Sequence, residues 1–215
     1  MAAQYFQSHQ GVDPSLVTRS QEMLAKGYAK LTAFETTTKG YEWFGQAPGH
    51  EALSAFGLLE FTDMSRVRQV DPAMLARTRE WILSTRDGKG GFRRERRALH
   101  TWIEDVDCSN AYITWALLQA GEDPKAIASE IDAVSRAARA SSNSYVHALA
   151  ANVLQAAGRG ADAGALLGQL AQRQEAGGAV GGATASIVGS SGEALQIETT
   201  SLAALAWLRS PAHEA

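Results

Sequence analysis

Hydrophobic positions along this chain follow two alternating patterns, both of helical period. The first is a stripe on one face. Leu16, Met23, Leu24, Tyr28, Leu31 and Phe34 keep three-to-four spacing, and Leu75, Trp81, Ile82 and Leu83 are read as one face of another amphipathic segment. "KAIASEIDAVSRAARA" and "ADAGALLGQLAQRQEA" are amphipathic in the same way. The second pattern is apolar on nearly every side: "HEALSAFGLLEF", "SNAYITWALLQAG", "SYVHALAANVLQAAG", "IETTSLAALAWL" and the tail of a helix at residues 1–9. One-faced helices lie on the outside of a protein, and helices apolar all round are buried. Asp13-Pro14, Asp71-Pro72 and Asp123-Pro124 each open a one-faced segment. That dipeptide suits an N-cap and first helical position, because proline has no N–H to leave orphaned.

Outer and inner helices therefore alternate as hairpins. The endings "LLQAGEDP" and "VLQAAGRGAD" mark the hairpin as an internal repeat, each inner helix stopping at glycine. No segment alternates with period two, so almost no sheet is expected. The pattern predicts one all-α domain over residues 1–215, an α/α toroid of concentric helical layers like that of terpenoid cyclases and prenyltransferases. A flat solenoid would leave both helices of each pair amphipathic. Four hairpins are visible. The glycine-rich stretch "GGAVGGATASIVGSSGE", residues 177–193, is expected to form a long mobile loop.

Composition narrows the chemistry. A net charge of −3 gives no general attraction to nucleic acid or anionic lipid. Arg93, Arg94, Arg96 and Arg97 form a local basic cluster, read as a solvated turn against a polyanion site. No apolar run is long enough for membrane insertion, and the N-terminus has no signal-peptide pattern. Glycine-rich "GKGGF" and "GRGADAG" lack the preceding strand and the G-K-[ST] of phosphate-binding loops. The single cysteine, Cys108, rules out an internal disulfide and a multi-cysteine zinc site. Asp105, Asp107 and Cys108 with His147 offer a zinc set of the prenyltransferase kind. The same residues also read as helix-start acids beside an inert buried cysteine, with a core histidine. No metal and no cofactor is expected. His50 reads as surface or capping, and His9 and His213 lie close to the ends. His100 closes the odd stretch "GKGGFRRERRALHTW".

Three anchors carry a resemblance: "GYAKLTAFE" (27–35), "DGKGGF" (87–92) and "IETTSLAALAWL" (197–208). With "GYEWFGQAPGHEALSAFGLLEFTDM" and "VDPAMLARTREWIL", the chain resembles the thioester-containing domain of the alpha-2-macroglobulin and complement family, its bacterial members above all. The resemblance implies a toroid, whose ring the four hairpins seen here would leave incomplete, and a parent protein that is not an enzyme but a self-acylating trap. In that family a C-x-E-Q motif forms an internal thioester, which captures nucleophiles on proteases or surfaces. Cys108 stands in "DVDCSNAY", so it is not that cysteine. The chain is expected to be a fragment starting after the motif; the alternatives are a zinc-dependent prenyltransferase-like or terpenoid-cyclase-like toroid enzyme, using Asp105, Cys108 and His147, and a thioester-less toroidal binding module. The resemblance also implies that the residue eight positions after the "DG-x-F" phenylalanine faces the thioester. Counted from Phe92, that residue is His100. Trp43, Phe44, Phe92, Trp102 and Glu104 are the pocket candidates. Trp102 stands where some relatives carry an acid, with Glu104 near enough to compete for that role. Implied partners are target proteases, surface hydroxyls or amines, and neighbouring macroglobulin domains. The implied location is periplasmic, cell-surface or secreted, and the implied role is endopeptidase inhibition.

Overall fold

The computed structural model of the chain describes residues 2–94 and 105–210. Among these residues the regular structure is all helix, with no β-strand and three isolated β-bridges. The chain divides into two compact units, Met1–Ser84 and Thr85–Ala215.

The first unit holds α1 (Ala2–Ser8), α2 (Pro14–Thr32), α3 (Glu51–Met64) and α4 (Pro72–Ser84). Two of the aspartate–proline starts form as expected. Asp13 Oδ1 accepts the Ser15 N–H at 2.8 Å, and Asp71 Oδ1 accepts that of Ala73 at 2.9 Å. His50 caps α3 through Nδ1, which accepts the Ala52 N–H at 3.2 Å, and the residue is buried rather than on the surface. Tyr41, Phe61, Met64, Val70 and Met74 form the core, with Leu24, Tyr28 and Leu75 packed against it.

The apolar stripe of α2 behaves differently from its pattern, because it is too broad for one contact. At about 100° per residue, Leu24 and Tyr28 sit roughly a quarter-turn from Leu16 and Met23. Tyr28 reaches the Phe61 ring edge-on at 5.7 Å, while Leu16 and Met23 are exposed. Neither α1 nor α2 has a fully buried residue, so the first helix is not the buried inner helix expected from residues 1–9.

The second unit holds α5 (Val106–Gln119), α6 (Ala128–Ala140), α7 (Ser144–Ala156), α8 (Gly160–Gln172) and α9 (Gly192–Trp207). Here the alternation is plain. Ala111 to Leu118 of α5 and Ser144 to Leu154 of α7 are buried without a break. By contrast α6 turns in Ile131, Val134 and Ala138, and α8 turns in Ala163, Leu166, Leu167 and Leu170. Each fully buried Leu, Ile or Val contributes about 1.5–3 kcal/mol. α7 is the central element, packed against all four neighbours. Two amides in its apolar run fix its register against α9: Asn152 Nδ2 donates to the Leu202 carbonyl at 2.9 Å and Gln155 Nε2 to that of Ala206 at 2.8 Å.

Three expectations need correction in this unit. Asp123 accepts the Lys125 N–H, but residues 124–127 form a turn and α6 begins only at Ala128. Ile127, fully buried at φ −120° and ψ 30°, leaves the helical path there. The glycine-rich stretch is stitched down rather than free. Asn143 Oδ1 accepts the Thr184 N–H, Asn143 Nδ2 donates to the Ala185 carbonyl, and Ser144 bonds both Gly181 and Gly182. Val180 and Ile187 are buried as well. Finally, α9 starts five residues earlier than "IETT", and its Ile197, Leu205 and Leu208 face solvent, so it is not buried all round.

One turn design occurs three times. Glu35 bridges Tyr41, Arg86 bridges Phe92 and Gln174 bridges Val180, at one common separation. In each, the residue after the first partner donates its N–H to the residue before the second: Thr36 to Gly40, Asp87 to Gly91, Glu175 to Ala179. The fifth residue of each turn has positive φ, supplied by Lys39 (76°), Gly90 (95°) and Gly178 (86°). Glycine takes that conformation without a steric cost and lysine does not.

The first two turns are each clasped to a helix by a fork of charge-assisted hydrogen bonds. Arg77 of α4 donates Nε and one terminal nitrogen to the two carboxylate oxygens of Glu35, both at 2.9 Å. Arg86 does the same to Glu130 of α6, both at 2.8 Å. The charges are exchanged: the turn carries the acid in the first clasp and the base in the second.

Candidate functional site

The second of these turns leads toward the basic stretch, and its construction is rigid. Asp87 Oδ1 accepts the N–H groups of Lys89 (2.7 Å) and Gly91 (3.0 Å), closing the turn from inside. These bonds hold the Asp87 carboxyl below the usual carboxylate range. A Cβ on Gly90 would lie 2.7 Å from the Ser129 carbonyl oxygen and 2.8 Å from the Ala133 methyl of α6. On Gly91 it would lie 2.9 Å from the Asn110 amide of α5. The glycines of "DGKGGF" therefore allow the turn to sit directly on two helices. Phe92 is buried at its end.

The far end of the same stretch enters α5. Asp105 is the N-cap, its Oδ1 accepting the Cys108 N–H at 2.9 Å, while its carbonyl accepts the Ser109 hydroxyl at 3.0 Å. That carbonyl also accepts a hydrogen bond from the Arg94 guanidinium at 3.2 Å. Arg94 and Asp105 are thereby tied together. Within "FRRERRALHTW", Arg94 thus has a bond that composition alone does not reveal. His100, Trp102, Glu104, Arg96 and Arg97 lie outside the described residues.

The remaining candidates separate. Trp43 and Phe44 belong to the first unit, just after the Glu35–Tyr41 turn. Trp43 lines an apolar cleft there, whereas Phe44 is two-thirds exposed and outside its lining. Phe92 belongs to the second unit.

The zinc set does not assemble. Asp105 is committed to the cap. Cys108 is fully buried, its Sγ 3.8 Å from the Ala185 carbonyl and 3.9 Å from Asn143 Nδ2. Burial, with Asp105 beside it, pushes the Cys108 thiol far above its ordinary range. His147 is also buried, and its Nε2 lies 2.9 Å from the Ser141 carbonyl. Burial holds that imidazole below its usual value. Among the described residues no group of three or more His, Cys, Asp or Glu is placed to hold a metal ion. Asp107 is exposed at the surface, and partial desolvation followed by the Asp105 charge raises its carboxyl. Among the described residues no helix is long and apolar enough to cross a membrane.

Sequence reasoning found the turn but missed Asn110, Asn143 and the Arg86–Glu130 clasp. One signal was available: "RDGKGGF" and "QEAGGAV" share the positive-φ glycine at the same offset from the bridge.

Comparison with known proteins bears on the whole chain. A search of curated proteins finds no significant match. The family model of the A-macroglobulin TED domain matches residues 1–214. That family is one of extracellular or secreted proteins. With an all-helical fold and the "DGKGGF" turn in place, the chain belongs to the thioester-domain family of the α-macroglobulins.

Proposed function

We propose that this chain is the histidine-bearing part of an acyl-transfer trap of bacterial type, working on a thioester whose C-x-E-Q sequence lies outside these 215 residues. The observation that supports this most is the family match over residues 1–214, joined to the pinned turn that ends eight positions before His100 in the sequence. In this reading a neutral His100 nitrogen attacks the thioester carbonyl. The carbon–sulfur bond breaks, the cysteine leaves as thiolate, and an acyl-imidazole forms. The thiolate then takes the proton of an incoming hydroxyl while its oxygen forms the ester and the imidazole departs. One hard step becomes two easier ones, which is nucleophilic catalysis, and the thiolate serves as general base. Unprotonated amines need no such help. The pocket around His100 would draw on Phe92, Trp102 and Glu104. The acceptors are target proteases or surface hydroxyls, the setting is periplasmic, cell-surface or secreted, and the outcome is endopeptidase inhibition or surface tagging.

The full-length polypeptide carrying this domain, as wild type and as His100→Asn, tests the reading. Each is activated by protease in labelled glycerol or methylamine. Glycerol capture and hydrolysis should fall by roughly 10²–10⁴-fold in the variant, and methylamine capture should survive. Equal glycerol-to-methylamine ratios would remove His100 from the mechanism. If wild type takes up no methylamine, the thioester reading fails and the domain is a binding module.

A further inference from the structure

The first unit contains a cleft of about 440 Å3 that acyl transfer does not use. Its walls are Leu31 from the end of α2, Phe34 just after that helix, Trp43 from the segment after the first turn, and Leu53 and Phe56 from α3. The α3 side is opened by Gly57, where a Cβ would lie 3.1 Å from the Tyr41 ring. A larger residue there would need that space, so glycine lets the tyrosine ring form part of the lining. Such a volume is within the range of small-molecule sites, which are mostly apolar with a few placed polar groups.

The placed polar groups here are two carboxylates, Glu42 and Glu60. Among the described residues no basic side chain belongs to the lining. Glu42 is held in position, because its Oε2 accepts the Phe44 N–H at 2.8 Å. Glu60 is on α3 one turn beyond Phe56, and it is exposed. Aromatic faces attract cations through their ring quadrupoles, and more strongly where water is excluded. Aromatic walls with negative charge alone select against anions and favour a positive head on an apolar body.

We propose that this cleft is a binding site for a small hydrophobic cation, an alkyl- or arylammonium ion. Its apolar body lies among Phe34, Trp43 and Phe56, and its charged head meets Glu42 and Glu60. The site is independent of the thioester reading, since no bond is made or broken in it.

The test uses the indole N–H signals of the five tryptophans, with Trp43→Phe assigning that of Trp43. The chain is titrated with hexyltrimethylammonium, 1-hexanol and hexanoate. A quaternary head cannot act as a nucleophile, so no result depends on acyl transfer. The Trp43 signal should shift with the cation at a concentration about tenfold lower than with 1-hexanol, and hexanoate should be weakest. Glu60→Gln, at an exposed position, should weaken the cation by about 2–5-fold and leave 1-hexanol unchanged. Phe34→Ala should weaken both. Binding of 1-hexanol as tightly as the cation, an unchanged cation affinity in Glu60→Gln, or no shift of Trp43 with any probe would each overturn the proposal.

Discussion

Replacing Arg86 with methionine should strand a carboxylate inside the second unit. The Glu130 side chain has no exposed surface, and its oxygens are held by Arg86 at 2.8 Å and by the Ser129 hydroxyl at 2.9 Å. Breaking a fully buried pair by removing one partner costs about 3–5 kcal/mol. Arg86 is one-third exposed, so water can enter where its guanidinium was. The lower end, about 2–3 kcal/mol, is therefore expected. For a chain of this size that lowers the melting temperature by roughly 4–12 °C. The opposite truncation is milder. In Glu130→Met the arginine can turn its head to water, and the cost should be about 1 kcal/mol. The double variant removes both charges and should cost no more than Arg86→Met alone. Urea unfolding followed by circular dichroism gives all four corners of the cycle. A coupling energy of at least about 1 kcal/mol is expected. Simple additivity, within the ~0.5 kcal/mol seen for independent sites, would refute the reasoning.

Two further changes test other features. Gly90→Ala and Gly178→Ala both place a side chain at positive φ, but only the first drives it into Ser129 and Ala133. Gly178→Ala should cost about 1–2 kcal/mol and Gly90→Ala about 1–3 kcal/mol more, while Lys39→Gly should be stabilising; equal costs in urea titrations would refute the docking of this turn on α6. His147 is neutral in the fold because burial holds its pKa below the ordinary value of 6.5. The unfolded chain binds that proton more readily, so the contribution is complete above pH 6.5 and is lost as pH falls below it. Melting temperatures measured between pH 8 and 5 should decline less steeply in His147→Gln; parallel profiles would exclude this histidine as a source of the slope.

What could be read from the sequence was what local pattern encodes. Ala111 to Leu118 and Ser144 to Leu154 announce buried helices because they are apolar on every side. Asp13 and Asp71 announce helix starts because capping is a short-range bond. Asp123 carries the same signal, yet burial of Ile127 bends the chain before the helix can begin. The glycine-rich loop looked free because its ties to Asn143 and Ser144 come from a distant part of the chain. The Arg86–Glu130 clasp is equally non-local. His100 was reached by counting from a recognised turn, and the structure describes that turn and the entry to α5 on either side of it.

The exchange of charge between the two clasps has a consequence for how the chain finds its partners. Helices built from alanine, leucine and small polar residues offer similar surfaces, and shape alone separates correct from incorrect hairpin contacts weakly. Charge supplies an address. Were the first turn to meet α6 during folding, Glu35 would confront Glu130; were the second to meet α4, Arg86 would confront Arg77. Like charges brought together there repel, most strongly at the fully buried Glu130. Each of these two turns is thus matched to its own helix and mismatched to the other's, and the match is written in the exchange of sign.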